Sequence, residues 1–293
     1  MEKNFTLSQG DILWLVWDGG QDIVMEQGQM LSVTIHGVRG SLPATGIDFS
    51  KYGGNTTCFE IETEESQIFI DAGTGFSSAK IASGKKKVYL LFTHLHHDHL
   101  QGLLHNPQLF IRHREITVSS ALMNGTALKQ YVAEYFSPPF FPPSVFSFVN
   151  CLKFVDFEHF IALNCSDLIV DCINLNHPGG AIGYSFTSGS KKVVIALDNE
   201  FESDQEKHLV SFCENADILI WDGMYTNEEM ENKRGWGHST IEQAINFTQK
   251  STVKKTVICH HSPSRSDAEI DTIKANLCEK NIEFGAEGKK FIL

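Results

Sequence analysis

Hydrophobic residues in this chain fall into short runs, each ended by glycine, proline or polar residues. Short runs that alternate or are continuously apolar, and that are rich in valine, isoleucine and phenylalanine, are typical of β-strands. The pattern predicts strands at residues 32–36, 57–62, 67–70, 88–92, 116–118, 152–154, 168–173, 182–186, 192–197, 218–221, 256–259 and 290–293. No run reaches the roughly 18 apolar residues that a transmembrane helix needs, so we expect no membrane association.

Helices are predicted between and after these strands. One is expected at residues 126–136, and two more begin at capping-box patterns, from Ser239 to Glu242 and from Ser266 to Glu269. Strand-rich halves that are each closed by helices predict an α+β fold, with two sheets packed face to face and helices outside. No linker divides residues 31–293, which are predicted to form one domain. Residues 1–30 are interpreted as an N-terminal appendage of unknown role.

A proline-rich segment at residues 137–143 interrupts this pattern. It holds four prolines and two phenylalanines. Proline lacks an amide donor and fixes φ, so the segment is neither a helix nor a central strand. Its aromatic rings either cover a pocket or belong to a simple connection, and the sequence favours neither interpretation.

Composition and charge narrow the classes of partner. The chain has 293 residues, 42% of them hydrophobic and 20% charged, as in ordinary globular proteins. Its seven cysteines have no C-x-x-C spacing, which favours free thiols in the cytoplasm over disulfides or thiolate zinc sites. The net charge of −12 repels nucleic-acid backbones, so we expect a small anionic substrate and not a nucleic-acid polymer.

The most polar cluster of the chain directly follows one of its most apolar strands. After the strand at 88–92 come His94, His96, His97, Asp98 and His99. Imidazole and carboxylate groups are the ligands that suit zinc, iron or manganese. Their concentration at one strand end predicts a metal site.

Three later strand ends carry the same kinds of side chain. His177 follows the strand at 168–173, Asp198 follows the strand at 192–197, and His260 and His261 follow the strand at 256–259. A single polar residue at a strand end is often only a turn former. Their recurrence predicts that some of them complete the metal site.

The spacing His94-x-His96-x-Asp98-His99, followed in order by His177, Asp198 and His260, resembles the metallo-β-lactamase fold hydrolases. Asp71-x-Gly-x-Gly is similar to another motif of that family. The resemblance covers about residues 32–293 and implies an αββα four-layer sandwich of two mixed β-sheets flanked by helices. It also implies two divalent metal ions, with zinc expected and manganese or iron as alternatives.

The same resemblance implies the roles of individual residues. It places His94, His96 and His177 on one ion and Asp98, His99 and His260 on the other, with Asp198 bridging the two. His260 is preferred to His261 because the first histidine of the H-x-S-P type is the ligand in related sequences. His97 is expected to lie at the rim. Asp71 is expected to support the ligands, whereas Arg39 and Asn55 either meet the substrate or shape turns.

A second resemblance bears on the reaction. The stretch Gly237-His238-Ser239-Thr240, with the later residues 259–263, is similar to tRNase Z and related phosphodiesterases, including the carbon–phosphorus-lyase phosphodiesterase. In those enzymes a histidine at the start of a helix acts on the leaving group, which implies that role for His238. The free amides and dipole of such a helix end would also favour an anion. The alternative is that His238 only flanks the helix.

The sequence therefore predicts a metal-dependent hydrolase with a dinuclear site, and specifically a phosphodiesterase acting on a small phosphodiester such as a cyclic nucleotide. A metal-bridging hydroxide would attack phosphorus, and Asp98 and His238 are the predicted catalytic residues. Two alternatives stay open: a thioester, lactone or carboxylic ester hydrolase of the same fold, and a non-catalytic metal-stabilised sensor or binding protein. Assembly as a homo-oligomer is also left open.

Overall fold

Two β-sheets account for most of the ordered backbone in the computed structural model, which describes residues 30–111, 114–142, 149–163 and 167–293. The first sheet contains β1 (Ser32–Gly37), β2 (Cys58–Glu62), β3 (Ser66–Ile70), β4 (Lys87–Leu91), β5 (Ile116–Ser119) and β6 (Leu152–Phe154). The second contains β7 (Ile169–Leu175), β8 (Ala181–Ser188), β9 (Lys191–Ala196), β10 (Ile218–Asp222), β11 (Thr256–Cys259) and β12 (Ile282–Phe284). The last strand, β13 (Lys290–Ile292), returns to the first sheet beside β1.

Each sheet has a parallel part and an antiparallel part. In the first, ordered β13-β1-β2-β3-β4-β5-β6, strands β3 to β6 are parallel. In the second, ordered β12-β11-β10-β9-β8-β7, strands β9 to β12 are parallel. Because parallel neighbours end at the same edge, the residues after β9, β10 and β11 lie side by side. The prediction of two mixed sheets is confirmed.

Helices cover the outer faces of both sheets. The α-helices are α1 (His97–Leu100), α2 (Gly125–Tyr135), α3 (Phe157–Leu163), α4 (Glu206–Phe212), α5 (Asn227–Met230), α6 (Ile241–Lys250) and α7 (Asp267–Ala275). Short 3-10 helices lie at Ile47–Phe49, Thr74–Ser78, Leu103–His105 and Pro107–Phe110. The shorter helices were not predicted, because one or two turns are too short to show a helical period in the sequence. The three-residue strand β12 was not predicted either.

Alternation along the strands explains the layers. In β3, Ile68 and Ile70 belong to the core between the sheets, whereas Phe69 packs on the outside with Leu128 of α2. The second sheet repeats this arrangement, since its outward-facing residues pack against α4, α6 and α7. Strands buried on both faces require helices on both outer sides. The predicted αββα sandwich is confirmed.

The N-terminal cap of α6 lies one residue later than the sequence suggested. Thr240 accepts from the amide of Gln243, and the Gln243 side chain accepts from the amide of Thr240. Ser239 is unavailable as a cap because its hydroxyl donates to the carbonyl of Asn199. The second capping box, from Ser266 to Glu269, is present as predicted.

Three further predictions concern residues 1–30, the cysteines and membrane-spanning helices. The predicted appendage lies outside the described residues except for Met30. The six cysteines within the described ranges are free thiols, as predicted. In that same part of the chain, no helix is both long enough and apolar enough to cross a bilayer.

Candidate metal centre

Strand ends from both sheets bring the polar residues of the sequence together at one edge of the sandwich. The first sheet contributes His94, His96, Asp98 and His99 from the segment after β4. The second contributes His177 after β7, Asp198 after β9 and His260 after β11, and His238 precedes α6. Residues that are far apart in sequence therefore meet because their strands are neighbours.

One group of three histidines forms what we call the open half of the centre. Potential ligand atoms of His94, His96 and His177 all lie within 4.8 Å of one another. The side chains of His94 and His177 are each only 2% exposed, and His96 is exposed, so this half reaches the surface through His96. The Nδ1 atom of His177 donates to the carbonyl of Gly237 at 2.8 Å, which turns Nε2 toward the centre, where it lies 3.0 Å from His96 Nδ1.

A second group forms the closed half. Potential ligand atoms of Asp98, His99 and His260 also lie within 4.8 Å, and all three residues are buried. His99 Nδ1 donates to Asp71 at 2.8 Å, and His260 Nδ1 lies 3.1 Å from the hydroxyl of Thr57. These partners hold the two Nε2 atoms toward the centre, as carboxylates and hydroxyls commonly do for metal-binding histidines.

Asp198 lies between the two halves. Its Oδ2 is 3.1 Å from His99 Nε2, without hydrogen-bond geometry, and its Oδ1 is 3.3 Å from His260 Nε2. The same Oδ1 is 3.7 Å from His177 Nε2 and 3.9 Å from His94 Nε2. A single carboxylate therefore contacts ligands of both halves.

Unpartnered atoms at the centre show that the residues fit a divalent ion. The Nε2 atoms of His94, His99 and His260 and Oδ2 of Asp198 are buried and have no hydrogen-bond partner. Each such atom costs about 1–3 kcal/mol unless it binds something. Imidazole nitrogen and carboxylate oxygen are a donor set that zinc, manganese and iron accept.

The electrostatics of the centre favour the same interpretation. Burial lowers the pKa of His94 well below its ordinary value, so its ring stays neutral and keeps a lone pair. Burial also opposes a charge on His99, but Asp198, Asp98 and Asp71 outweigh it and raise the pKa of His99 well above normal. A cluster that holds a buried proton this firmly attracts positive charge, which a metal ion would supply.

Unfavourable backbone conformations concentrate at this site. Among described non-glycine residues, positive φ occurs at Ser41 (62°), Asp71 (61°), Asp198 (55°) and His260 (58°), and elsewhere only at Asn215. Such conformations are sparsely populated and persist where the surrounding structure holds them, often at functional sites. Four of the five thus belong to the centre or its immediate supports.

The loop after β1 closes over His260 and Asp98. A Cβ atom on Gly40 would lie 2.4 Å from His260 Nε2, so only glycine fits this approach. The amide of the next residue, Ser41, donates to Asp98 Oδ2 at 2.7 Å. This glycine therefore lets the loop backbone pass directly against the site.

Asp222 is the functional candidate that the sequence analysis missed. It ends β10, is fully buried, and its Oδ2 accepts from His238 Nδ1 at 2.9 Å. Burial alone would lower the pKa of His238, but the Asp222 carboxylate outweighs it and raises that pKa to about 9. The signal was available, because an aspartate at the end of an apolar strand is the pattern that identified Asp198.

Arg39 and Asn55 both hold turns of the chain through hydrogen bonds. The side chain of Arg39 is fully buried and donates to the carbonyls of Gly53 (2.7 Å) and Arg265 (2.7 Å), so it holds loops together. The amide and side-chain nitrogens of Asn55 both donate to Glu287, which fixes a turn. Of the two roles considered for these residues, the structure supports only the shaping of turns.

Packing bears on three other expectations. His261 lies beside His260 in sequence but turns away from the centre, where its Nε2 is 3.1 Å from the carbonyl of Gly285. The α6 end offers few amides to an anion, because those of Ile241 and Gln243 are already bonded. His97 is exposed at the rim, as expected, and hydrogen-bonds the hydroxyl of Tyr135.

The fold and the site together define a class, a two-sheet sandwich with a histidine- and aspartate-rich centre at one edge. Residues 66–261 match the family model described as "Beta-lactamase superfamily domain", and the chain belongs to this superfamily. It is 26% identical over 257 residues to ribonuclease Z of Ignicoccus hospitalis, covering 71% of this chain and 82% of that protein.

Solved structures show the same fold. The metallo-β-lactamase fold protein YhfI from Bacillus subtilis matches with a TM-score of 0.67 at 15% identity, covering 90% of this chain and all of that one. A diphosphatase from the PhnP family matches with a TM-score of 0.66 at 17% identity, covering 90% and 97% of the two chains.

These similarities confirm the predicted class, a metal-dependent hydrolase of the beta-lactamase superfamily that is similar in sequence to ribonuclease Z. They also correct one expectation. Several relatives are ribonucleases, so the acidic net charge is not sufficient ground to dismiss a nucleic-acid substrate.

Proposed function

We propose that this protein is a phosphodiesterase that holds two divalent metal ions and acts on a small phosphodiester. The observation that carries the proposal is the pair His238–Asp222 beside the histidine cluster. Expelling an alkoxide from a phosphodiester is assisted by a proton donor, and a buried carboxylate that keeps a neighbouring imidazole protonated provides one.

The ligand sets follow from the two halves of the centre. His94, His96 and His177 would hold one ion, Asp98, His99 and His260 the other, and Asp198 both. Two bound divalent ions would supply an activated water and neutralise charge on the phosphoryl oxygens. Zinc is the ion we expect, and manganese and iron are compatible with the same donor set.

His238 acts on the leaving group in this proposal. Its Nδ1–H donates to Asp222, so Nε2–H is the proton that can be given to the departing oxygen as the phosphorus–oxygen bond breaks. Asp222 orients the ring and stabilises its positive charge, as the buried aspartate does in hydrolase triads. His238 is thus the predicted general acid, with Asp222 as its positioning residue.

Two substrates that differ in leaving group test this role. A cyclic nucleotide expels an alkoxide, whereas bis-p-nitrophenyl phosphate expels a weakly basic phenolate that needs little protonation. We expect His238→Ala to lower kcat about 100- to 10,000-fold on the cyclic nucleotide, and far less on the phenyl diester. Metal content, measured by elemental analysis, should be unchanged.

His97→Ala is the matched control, because it removes a neighbouring histidine that points away from the centre. Equal losses on both substrates would contradict the general-acid role. A loss of metal in His238→Ala would instead make this residue a ligand, an assignment its proximity to His177 and Asp198 also allows. A thioester and a lactone in the same assay test the carboxylic-ester alternative, which needs no such acid.

RNA is a second candidate substrate, favoured by the similarity to ribonuclease Z over 71% of this chain. Its internucleotide bond is also a phosphodiester with an alkoxide leaving group, so the same residues would serve. Comparing kcat/KM for a structured RNA with that for a cyclic nucleotide, on zinc- and manganese-loaded protein, decides between them. A higher value for the RNA would displace the small-substrate proposal.

A further inference from the structure

Two cavities adjoin the metal centre, and Tyr131 and Tyr135 of α2 line both. What we call the inner cavity has a volume of about 600 Å³ and reaches His94 and His96. The outer cavity has a volume of about 920 Å³ and is lined by Phe140 of the proline-rich segment, together with Phe141 and His97. The hydrogen bond from Tyr135 to His97 ties the shared wall to the rim of the centre.

The inner cavity is apolar apart from its two histidines and the tyrosine hydroxyls. Its side-chain lining includes Leu95, Leu122, Met123, Ala127 and Pro178. Among the residues that the structure describes, no lysine, arginine, aspartate or glutamate lines it. A charged group would meet no oppositely charged side chain in this lining, whereas a flat apolar group would gain contacts with two aromatic rings.

We propose that the inner cavity binds the group attached to the phosphorus, and that this group is uncharged and planar, such as an aryl ring or a nucleobase. The inference rests on the proposed function, because His94 and His96 determine where the phosphate lies. It adds the substrate class: a small phosphodiester with a flat, neutral substituent. Tyr131 and Tyr135 are the specificity-determining residues.

Binding of two phosphonates tests this without requiring turnover. Phenylphosphonate and methylphosphonate share a head group and differ by the ring. Titration calorimetry on the zinc-loaded protein should show at least about tenfold tighter binding of the phenyl compound, because burying a ring is worth more than one tenfold step in affinity. Equal affinities, or no binding of either compound, would overturn the inference.

A pair of matched substitutions on α2 locates the effect. Ala127→Phe fills the inner cavity and should reduce the phenyl preference to about onefold, with metal content unchanged. Ala133→Phe makes the same change on the same helix at a position that lines neither cavity, and should retain the preference. Phe140→Ala opens only the outer cavity and should also retain the phenyl preference.

The outcomes separate this inference from the proposed function. A phenyl preference that survives Ala127→Phe, or that disappears in Phe140→Ala, would reject the inner cavity as the binding place. Hydrolysis of phosphodiesters in the presence of equal phosphonate affinities would leave the proposed function standing and end the inference. A phenyl preference that Ala127→Phe removes, in a protein that hydrolyses no phosphodiester, would support the inner cavity as the binding place and end the proposed function.

Discussion

The two halves of the centre are built from similar residues but held very differently. In the closed half His99 is 0% exposed and His260 is 1% exposed, whereas His96 in the open half is exposed. His99 is oriented by a buried carboxylate, and Asp98 by a backbone amide. In the open half His177 donates to the carbonyl of Gly237 and His94 Nδ1 lies 3.0 Å from the hydroxyl of Thr93, whereas the hydrogen bond of His96 is to His177, inside the centre itself.

This difference suits the closed half to holding its ion and the open half to meeting the substrate. Ligands fixed by buried partners are preorganised, so they bind an ion with little further ordering. Ligands at the surface have room for exchange and border the inner cavity, where a substrate would enter. We therefore expect the closed half to bind its ion more tightly than the open half.

The largest effect should follow from removing the residue that the halves share. We expect Asp198→Ala to lose both ions and to lower turnover at least about a thousandfold, which corresponds to ~4 kcal/mol. Elemental analysis and a diesterase assay measure the two effects. Asp204→Ala, an exposed aspartate from the following segment, is the control and should change neither.

Removing one ligand from each half tests the comparison directly. His96→Ala should reduce the metal content from about two ions to about one, because the closed half keeps its ligands. His260→Ala should lose more metal, because it leaves Asp98 and His99 as the only other ligands of the closed half. Equal residual metal in the two variants would show that the halves are not distinct.

A smaller effect should follow from weakening a support of the closed half. Asp71→Asn removes the negative charge beside His99 but keeps the shape, and it should lower metal affinity by about 10- to 100-fold. Competition with a chelator measures that change. Asp171→Asn, at an exposed position far along the chain, serves as the control. An unchanged metal affinity in Asp71→Asn would show that Asp71 does not support metal binding.

The smallest effect is expected at His97. Its ring lies at the rim and is bonded to Tyr135, so His97→Ala should retain most of the metal and at least about half of the activity. Metal analysis and the diesterase assay together check this result. Loss of an ion would mean that His97 takes part in the open half.

Local and distant residues differed in how well the sequence predicted them. The cluster at His94 and its neighbours could be recognised because four residues within six consecutive positions carry the pattern. His177 and Asp198 required the assumption that several strand ends meet, which sheet order decides and periodicity does not. Asp222 was missed for that reason, although it ends a strand in the same way.

Charged and aromatic side chains away from the cluster were harder to place. The positive charge of Arg39 left substrate contact open as one of its two roles, but carbonyl oxygens accept its hydrogen bonds inside the fold. The proline-rich segment left two interpretations open, and its phenylalanines prove to line a cavity. Such outcomes depend on which surfaces the completed fold brings together.

The chain order of the ligands has a mechanical consequence. They begin after β4 in one sheet and end after β11 in the other, so a bound ion ties two layers that are otherwise joined at their core by apolar packing and by hydrogen bonds such as that from Tyr184 to the carbonyl of Phe92. Such an ion would act as a reversible cross-link across the sandwich, adding stability in proportion to the logarithm of its free concentration. Thermal unfolding measured with graded metal buffers would then report the strength of the joint between the two sheets.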